Sequence, residues 1–225
     1  MAVYLSETDH ARVTQAVAAA EAQTAGEIVT VVAERSDGYS DIALAWSAIA
    51  AFTSLVVLAL LPDFYLGLVD RIFGNWEHEW TAREIFTVAA VVAMGKFLGT
   101  WLIQLWQPLK FWLILPPIKT QRTFQRAVSL FKVGAERRTH GRTGILIYLS
   151  MREHRAQIVA DEAIASKVSA ETWGEAMAAM LVHIKDGRVA DGMIAAVEKV
   201  GAVLAEHFPR AEDDQNELPD RLIEL

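Results

Sequence analysis

Two kinds of hydrophobic patterning alternate along this chain, and the change from one to the other organises everything else. Short runs with strand-like spacing come first and last. "EIVTVVA" at 27–33 puts Ile28, Thr30 and Val32 on one face and Val29, Val31 and Ala33 on the other, as a strand covered on both sides requires. "GILIYLS" at 144–150 and "RAQIVAD" at 155–161 are separated by the polar "MREH", which predicts a β-hairpin. Between the first strand and this hairpin lie two long, nearly uncharged runs, at 43–61 and 85–106, followed by the aromatic "FWLILPPI".

Helical spacing accounts for most of the rest. "LSETDHARVTQAVAAAEAQTAGE" opens with Ser6 and Asp9 at capping-box separation and predicts one helix stopping at Gly26. Phe124, Ala127, Val128 and Phe131 share a helix face. After the hairpin, Trp173, Met177, Met180, Leu181 and Ile184 form a stripe that stops at Gly187, and "DGMIAAVEKVGAVLAEHFP" supplies a last helix ending before Pro209. From Arg210 the acidic, proline-containing tail predicts loose order.

The 19 residues of 43–61 would make a helix about 28 Å long, close to the roughly 30 Å hydrocarbon thickness of a bilayer. The run at 85–106 is slightly longer and carries Trp101 and Trp106 towards one end, where indole rings favour the interface. The reading is therefore a transmembrane hairpin. "LKFWLILPPI" at 109–118 is too short to cross, and Pro116 and Pro117 would end any helix there, so it is expected at the interface.

Neither flank of the hairpin folds by itself. One helix and one strand upstream cannot cover both faces of that strand, whereas the later hairpin and three helices can. The predicted fold class is α/β, a small α/β/α sandwich interrupted by a two-helix transmembrane hairpin. Its parts are a first domain segment at 1–41, the hairpin with its outer loop at 42–107, an interfacial linker at 108–123, a second domain segment at 124–209 and the acidic tail at 210–225.

Charge adds orientation. Beyond Trp106 come Lys110, Lys119, Arg122, Arg126, Lys132, Arg137, Arg138 and Arg142, with Glu136 the only acid among them, while the loop between the spans carries Asp63, Asp70, Glu77, Glu79 and Glu84 against Arg71 and Arg83. The positive-inside rule puts both termini in the cytosol of a multi-pass protein of the cell inner (cytoplasmic) membrane, with the acidic loop outside. Within that loop "FYLGLVDRIFGNW" reads equally as a surface-lying amphipathic helix or as a hairpin loop. The opening "MAVYLSETDHARV" lacks a basic patch and apolar core, so no secretory signal is expected. A net charge of −7 excludes a nucleic-acid binder acting through a general basic surface, and the absence of cysteine excludes disulfides, thiolate metal sites and cysteine nucleophiles.

One intramembrane residue stands out. Lys96 lies near the middle of the second span, where a charge costs about 2.5 to 3.5 kcal/mol. Gly95 and Gly99 flank it at the GxxxG spacing that permits close helix approach. Either Lys96 meets an acid of a partner helix, with self-association or another membrane protein as the partner, or its stem snorkels to the interface, or the true span is shifted along the sequence.

The phrases "AGEIVTVV", "TGILIYLS", "RAQIVAD" and "DGMIAAVEKV", taken in order, resemble the TPM domain family over roughly 6–41 and 124–209. The resemblance implies a sandwich with helices on both faces of a sheet, and the internal pair of spans is similar to a bacterial multi-pass subset. It also implies a calcium ion held by acids at strand ends, and in some members a phosphatase activity. The matching positions here are Asp37 and Asp41, with Glu34, after the first strand, and Asp161 and Glu162 after the hairpin. Such oxygen-rich residues hold a hard cation only where several converge; otherwise Asp37-Gly38 is a turn and Asp161 a cap. Two departures count against inheriting the site: "HGRTG" replaces the family's Asp-Asn-Gly phrase, and "ADEAIASKV" replaces its glycine-rich one. Neither His140 nor His154 has a sequence-evident partner for nucleophilic chemistry. The expectation is a membrane-held scaffold or accessory factor with a TPM-like cytosolic domain, the alternative a divalent-metal-dependent phosphatase.

Overall fold

A computed structural model describes residues 4–74, 79–134, 143–210, 218 and 220–225. The chain divides into two compact units, one built from Met1–Asp37 together with Pro116–Leu225, the other from Gly38–Leu115.

In the first unit, α1 (Glu7–Glu21) leads into β1 (Glu27–Ala33); α6 (Pro116–Gly134), β2 (Gly144–Ser150), β3 (Arg155–Ala160), α7 (Glu162–Ala165), α8 (Ala170–Lys185), α9 (Val189–His207) and β4 (Ile223–Glu224) follow after the second unit. The sheet order is β3-β2-β1-β4. β1 runs parallel to β2 in the register Ile28↔Ile145 to Val32↔Leu149, and β2 runs antiparallel to β3 across the four-residue turn at 151–154.

All seven residues of β1 and all seven of β2 are buried, because both faces of the sheet are covered. On one face Ile28, Val32, Ile145 and Ile147 pack with Val13 and Val17 of α1, Met180 of α8 and Met193, Val197 and Leu204 of α9. On the other, Val29, Val31, Leu146 and Tyr148 pack against Ala127 and Phe131 of α6. This is the three-layer sandwich that the patterning predicts, with its β1 drawn from upstream of the apolar hairpin.

Local details differ from expectation for identifiable reasons. The Ser6–Asp9 capping box forms, but α1 ends at Glu21, five residues short of Gly26. The chain turns earlier because Thr24 is tied to the end of α9, its Oγ1 donating to the Phe208 carbonyl at 2.6 Å. Gly26 serves packing instead: a Cβ there would lie 2.9 Å from Leu204 Cδ1. Along α6 the core stripe is Thr123, Ala127 and Phe131, while Phe124 is exposed. That helix starts at Pro116, since a proline in the first turn lacks only a donor that would be unpaired anyway. The tail beyond Arg210 is ordered where it is described: Leu218 and Leu222 are buried, and Ile223 and Glu224 pair with Val31 and Val32 as an edge strand.

The second unit holds α2 (Ser40–Leu60), α3 (Pro62–Phe73), α4 (Ala82–Ile103) and α5 (Gln107–Leu113). α2 and α4 are each long and apolar enough to cross a membrane, and almost nothing in either is buried. Phe52, Leu60, Phe86 and Trp106 are among their exposed or flanking apolar side chains. Gln104 Nε2, just past the end of α4, reaches the carbonyl of Ala43 near the start of α2, so the two helices run antiparallel. Within the acidic loop the helical alternative is realised as α3; Glu77 lies outside the described residues, as do Glu136, Arg137, Arg138, His140 and Arg142.

Candidate functional site

The acids singled out from the sequence do not gather. Asp37 follows the C-terminal end of β1, where its Oδ2 is 3.3 Å from Arg122 Nε of α6. Asp161 follows β3, which returns to the opposite edge of the sheet beside Gly144 at the start of β2: its backbone N–H donates to the Gly144 carbonyl at 2.9 Å, and its Oδ2 accepts from Gly144 N–H at 3.4 Å. Seven-residue strands separate these edges, about 20 Å at roughly 3.3 Å per residue. Glu162 is exposed in the first turn of α7, and Asp41 is exposed in the first turn of α2 in the other unit. Asp161 occupies the N-cap position of α7 without making the side-chain cap bond.

A calcium ion takes six to eight oxygens within about 2.6 Å, and among the described residues no group of three or more His, Asp or Glu side chains is placed to hold a metal ion. The donor set therefore does not fit the calcium site that the family resemblance implies. Glu34, the remaining acid of that loop, is paired with Arg152 at 3.1 Å. His154 lies exposed in the turn between β2 and β3 with φ 51°.

What the sheet's C-terminal edge does contain is a polar network that sequence reading did not find. Glu153, in the same turn, is 2% exposed. One carboxylate oxygen accepts the Ser36 N–H at 2.9 Å and the other a short bond from Ser150 Oγ. Ser36 Oγ lies 3.1 Å from the Tyr148 hydroxyl and 3.3 Å from Thr123 Oγ1. Lys119 stands nearby, its pKa pulled down by burial and by Arg155, with Glu153 acting in the opposite sense. Burial raises the Tyr148 phenol. Through Glu153 the network joins the loop after β1 to the β2–β3 turn.

At the other edge, Glu21 Oε1 accepts the Ile28 N–H at 2.7 Å and Glu27 Oε2 accepts the Leu218 N–H at 3.2 Å. Burial pushes the Glu21 carboxyl up to about 8, and the charges of Glu27 and Asp220 add to this against the Ile28 hydrogen bond. These acids anchor the chain before β4 to the start of β1.

In the helical unit, Lys96 and the two glycines beside it, Gly95 and Gly99, have different surroundings. Val88, Val92, Lys96 and Thr100, four residues apart, line a cavity of about 740 Å³ between α2, α3 and α4. Gly95 is exposed and Gly99 half-buried, and a Cβ on either would meet nothing within 4 Å. The glycines thus leave an open helix surface, while Lys96 belongs to the cavity.

Residues 112–203, from the end of α5 through most of α9, match the family model described as the TPM domain. Over those 92 residues, fewer than half of the 225, the chain carries the TPM pattern. No curated protein matches the sequence. Among solved structures, the NMR structure of BA42 protein from the psychrophilic bacterium Bizionia argentinensis is similar, with a TM-score of 0.57 at 18% identity, covering 100% of this chain and 98% of that one. At that identity the likeness shows the fold alone. The match supplies α6, β2, β3, α8 and most of α9 of the TPM domain, and the sheet is completed from outside it: β1 and α1 come from residues before the apolar hairpin and β4 from the tail.

Proposed function

We propose that this chain is an integral protein of the cell inner membrane whose TPM domain lies in the cytosol with both termini, and that it is a non-enzymatic scaffold or accessory factor for another membrane protein. The observation that carries this reading is the state of the second unit. Two antiparallel helices of spanning length expose apolar side chains along their whole lengths, and α4 presents the open glycine pair Gly95 and Gly99. In a bilayer, association of spans depends on close packing, and small residues four apart allow it. The cytosolic placement is supported by the basic residues that follow the second span and the acidic loop between the spans.

The absence of cysteine makes the topology directly testable. Single cysteines at exposed Thr8, Glu79 and Ser166 are treated with a membrane-impermeant maleimide on intact spheroplasts. The expected result is labelling of the Glu79 variant alone, with the other two reacting only after lysis; labelling of Thr8 or Ser166 on intact cells overturns the orientation. The partner is sought with a photo-cross-linking residue at Leu98. A protein adduct that disappears in Gly95→Ile/Gly99→Ile supports the scaffold reading, and an adduct pattern unchanged by those substitutions removes the glycine face from it.

A further inference from the structure

The cavity of the helical unit has a lining that selects its occupant. Its walls are apolar residues and hydroxyls such as Thr53 and Val57 of α2, Leu68 and Ile72 of α3 and Val92 of α4, and Lys96 is the one charged residue of its lining among the described residues. No Asp or Glu among the described residues lines it. Among the described residues Lys96 forms no hydrogen bond or ion pair, while Asp70 of α3, whose Oδ2 accepts from the Trp80 indole at 3.1 Å and whose Oδ1 is buried without a partner among them, lies outside the lining.

Lys96 sits seven residues before the end of α4, about 10 Å inside the span at 1.5 Å per residue. A lone ammonium at that depth is costly, and an opposite charge in a low-dielectric surrounding relieves the cost far more than it would in water. An occupant that satisfies this cavity carries one negative charge and a long apolar body. The charged group must also be small, because a bulky, strongly hydrated head belongs at the interface and not 10 Å below it. A volume of about 740 Å³ falls within the roughly 300 to 1,000 Å³ of ligand pockets.

We infer that the groove between α2, α3 and α4 binds a long-chain carboxylate, a free fatty acid, with its head on Lys96 and its chain along Val92, Val57 and Ile72. The inference goes beyond the scaffold reading and shares with it only the placement of the hairpin in a bilayer. Chemistry of the head separates this occupant from the alternatives: a phospholipid carries a larger head, and a partner helix would bring its acid on protein.

The test uses the full chain in uncharged phosphatidylcholine nanodiscs with a palmitate bearing a diazirine in its chain. Labelling should saturate and map to α2, α3 or α4, and unlabelled palmitate should compete at concentrations at least tenfold lower than hexadecanol, its uncharged counterpart. Lys96→Met should weaken competition by palmitate at least tenfold, Lys96→Arg should retain it, and Thr53→Trp should abolish labelling by filling the groove. Equal competition by hexadecanol, or unchanged competition in Lys96→Met, overturns the inference. So does mass spectrometry of protein released from its native membrane that finds phospholipid in place of fatty acid, or a protein cross-link formed from position 96. Alkaline carbonate extraction of native membranes separates the two readings: release of the chain sinks both, whereas retention with failed palmitate binding sinks the cavity assignment alone.

Discussion

The side-chain amide of Gln104 donates to the carbonyl oxygen of Ala43 at 3.1 Å, joining the end of α4 to the start of α2 across 61 residues of sequence. The same amide donates to the Thr100 carbonyl at 3.0 Å and lies 3.5 Å from Ser47 Oγ, which itself donates to Ala43. Gln104 is 3% exposed and Ser47 fully buried, so this polar cluster closes the base of an otherwise apolar helix pair.

Gln104→Leu should therefore loosen the hairpin without changing its helicity. Interhelical hydrogen bonds in membranes contribute about 0.6 kcal/mol on average and up to about 1.7 kcal/mol, and the loss of this one should lie in that range. Unfolding of the reconstituted protein in graded sodium dodecyl sulfate reads it as a lowered midpoint. An unchanged midpoint would show that the contact contributes nothing.

Close approach of α1 and α9 depends on Gly201. A Cβ at that position would stand 2.7 Å from the Cβ of Ala20, with a backbone atom of Ala20 at 3.5 Å. Relief requires the two helices to move apart, which overpacked cores do at a cost of about 1 to 3 kcal/mol. Gly201→Ala should lower the thermal midpoint of the TPM domain, and Gly95→Ala, with open space around it, should leave that midpoint where it is.

Asp37 and Asp161 stand at opposite sheet edges with different partners, Arg122 for one and Gly144 for the other. Sites so far apart add within about 0.3 to 0.5 kcal/mol. The double variant Asp37→Ala/Asp161→Ala should show the sum of the single effects on stability, with and without millimolar calcium. A coupling that appears only with calcium would mean that the two acids share an ion.

Glu153→Ala should be among the more damaging single substitutions in the TPM domain. It leaves the Ser36 N–H and the Ser150 hydroxyl without their acceptor inside a turn where the carboxylate is 2% exposed. Hydrogen bonds to charged groups contribute about 1.5 to 3 kcal/mol each, and an orphaned buried donor costs about 1 to 3 kcal/mol. Urea unfolding should register a loss of at least about 2 kcal/mol, with Glu153→Gln losing less because its amide oxygen still accepts one of the two bonds.

How much of this could be read from the sequence depends on how local the signal was. β1, β2 and β3 announce themselves because strand periodicity and a polar turn lie within each run, and Ser6 with Asp9 carries the start of α1 in four residues. β4 does not, since two residues hold no period and their pairing with Val31 and Val32 is decided by β1 nearly 200 positions earlier. Gly26 has the residue type of a helix stop but is required by Leu204. Glu153 in "SMREH" has the look of a solvated turn acid, and only Ser36, 117 residues upstream, makes it a buried one. Lys96 was legible as a residue in need of a partner; that it faces a cavity while Gly95 and Gly99 face open space follows from the packing of α2 and α3, which spacing in α4 alone does not contain.

Glu21 makes the stability of the TPM domain pH-dependent. It is 7% exposed, bonded to the Ile28 N–H, and set beside Glu27 and Asp220, where a second negative charge is unwelcome. Its folded-state pKa is pushed up to about 8, above the ordinary 4.5 that the unfolded chain would show. Between those values the folded protein holds a proton that the unfolded chain has released, so stability falls as pH rises through this window. The contribution is fully present below about pH 4.5 and gone above about 8. Glu21→Gln keeps an acceptor for Ile28 and removes the charge, so it should be more stable than the parent at pH 8.5 and should flatten the decline between pH 5 and about 8. Thermal midpoints measured across that range for both proteins decide it. Parallel curves would mean that Glu21 titrates alike in the folded and unfolded chains and that the anchoring of β4 near Asp220 is insensitive to its charge.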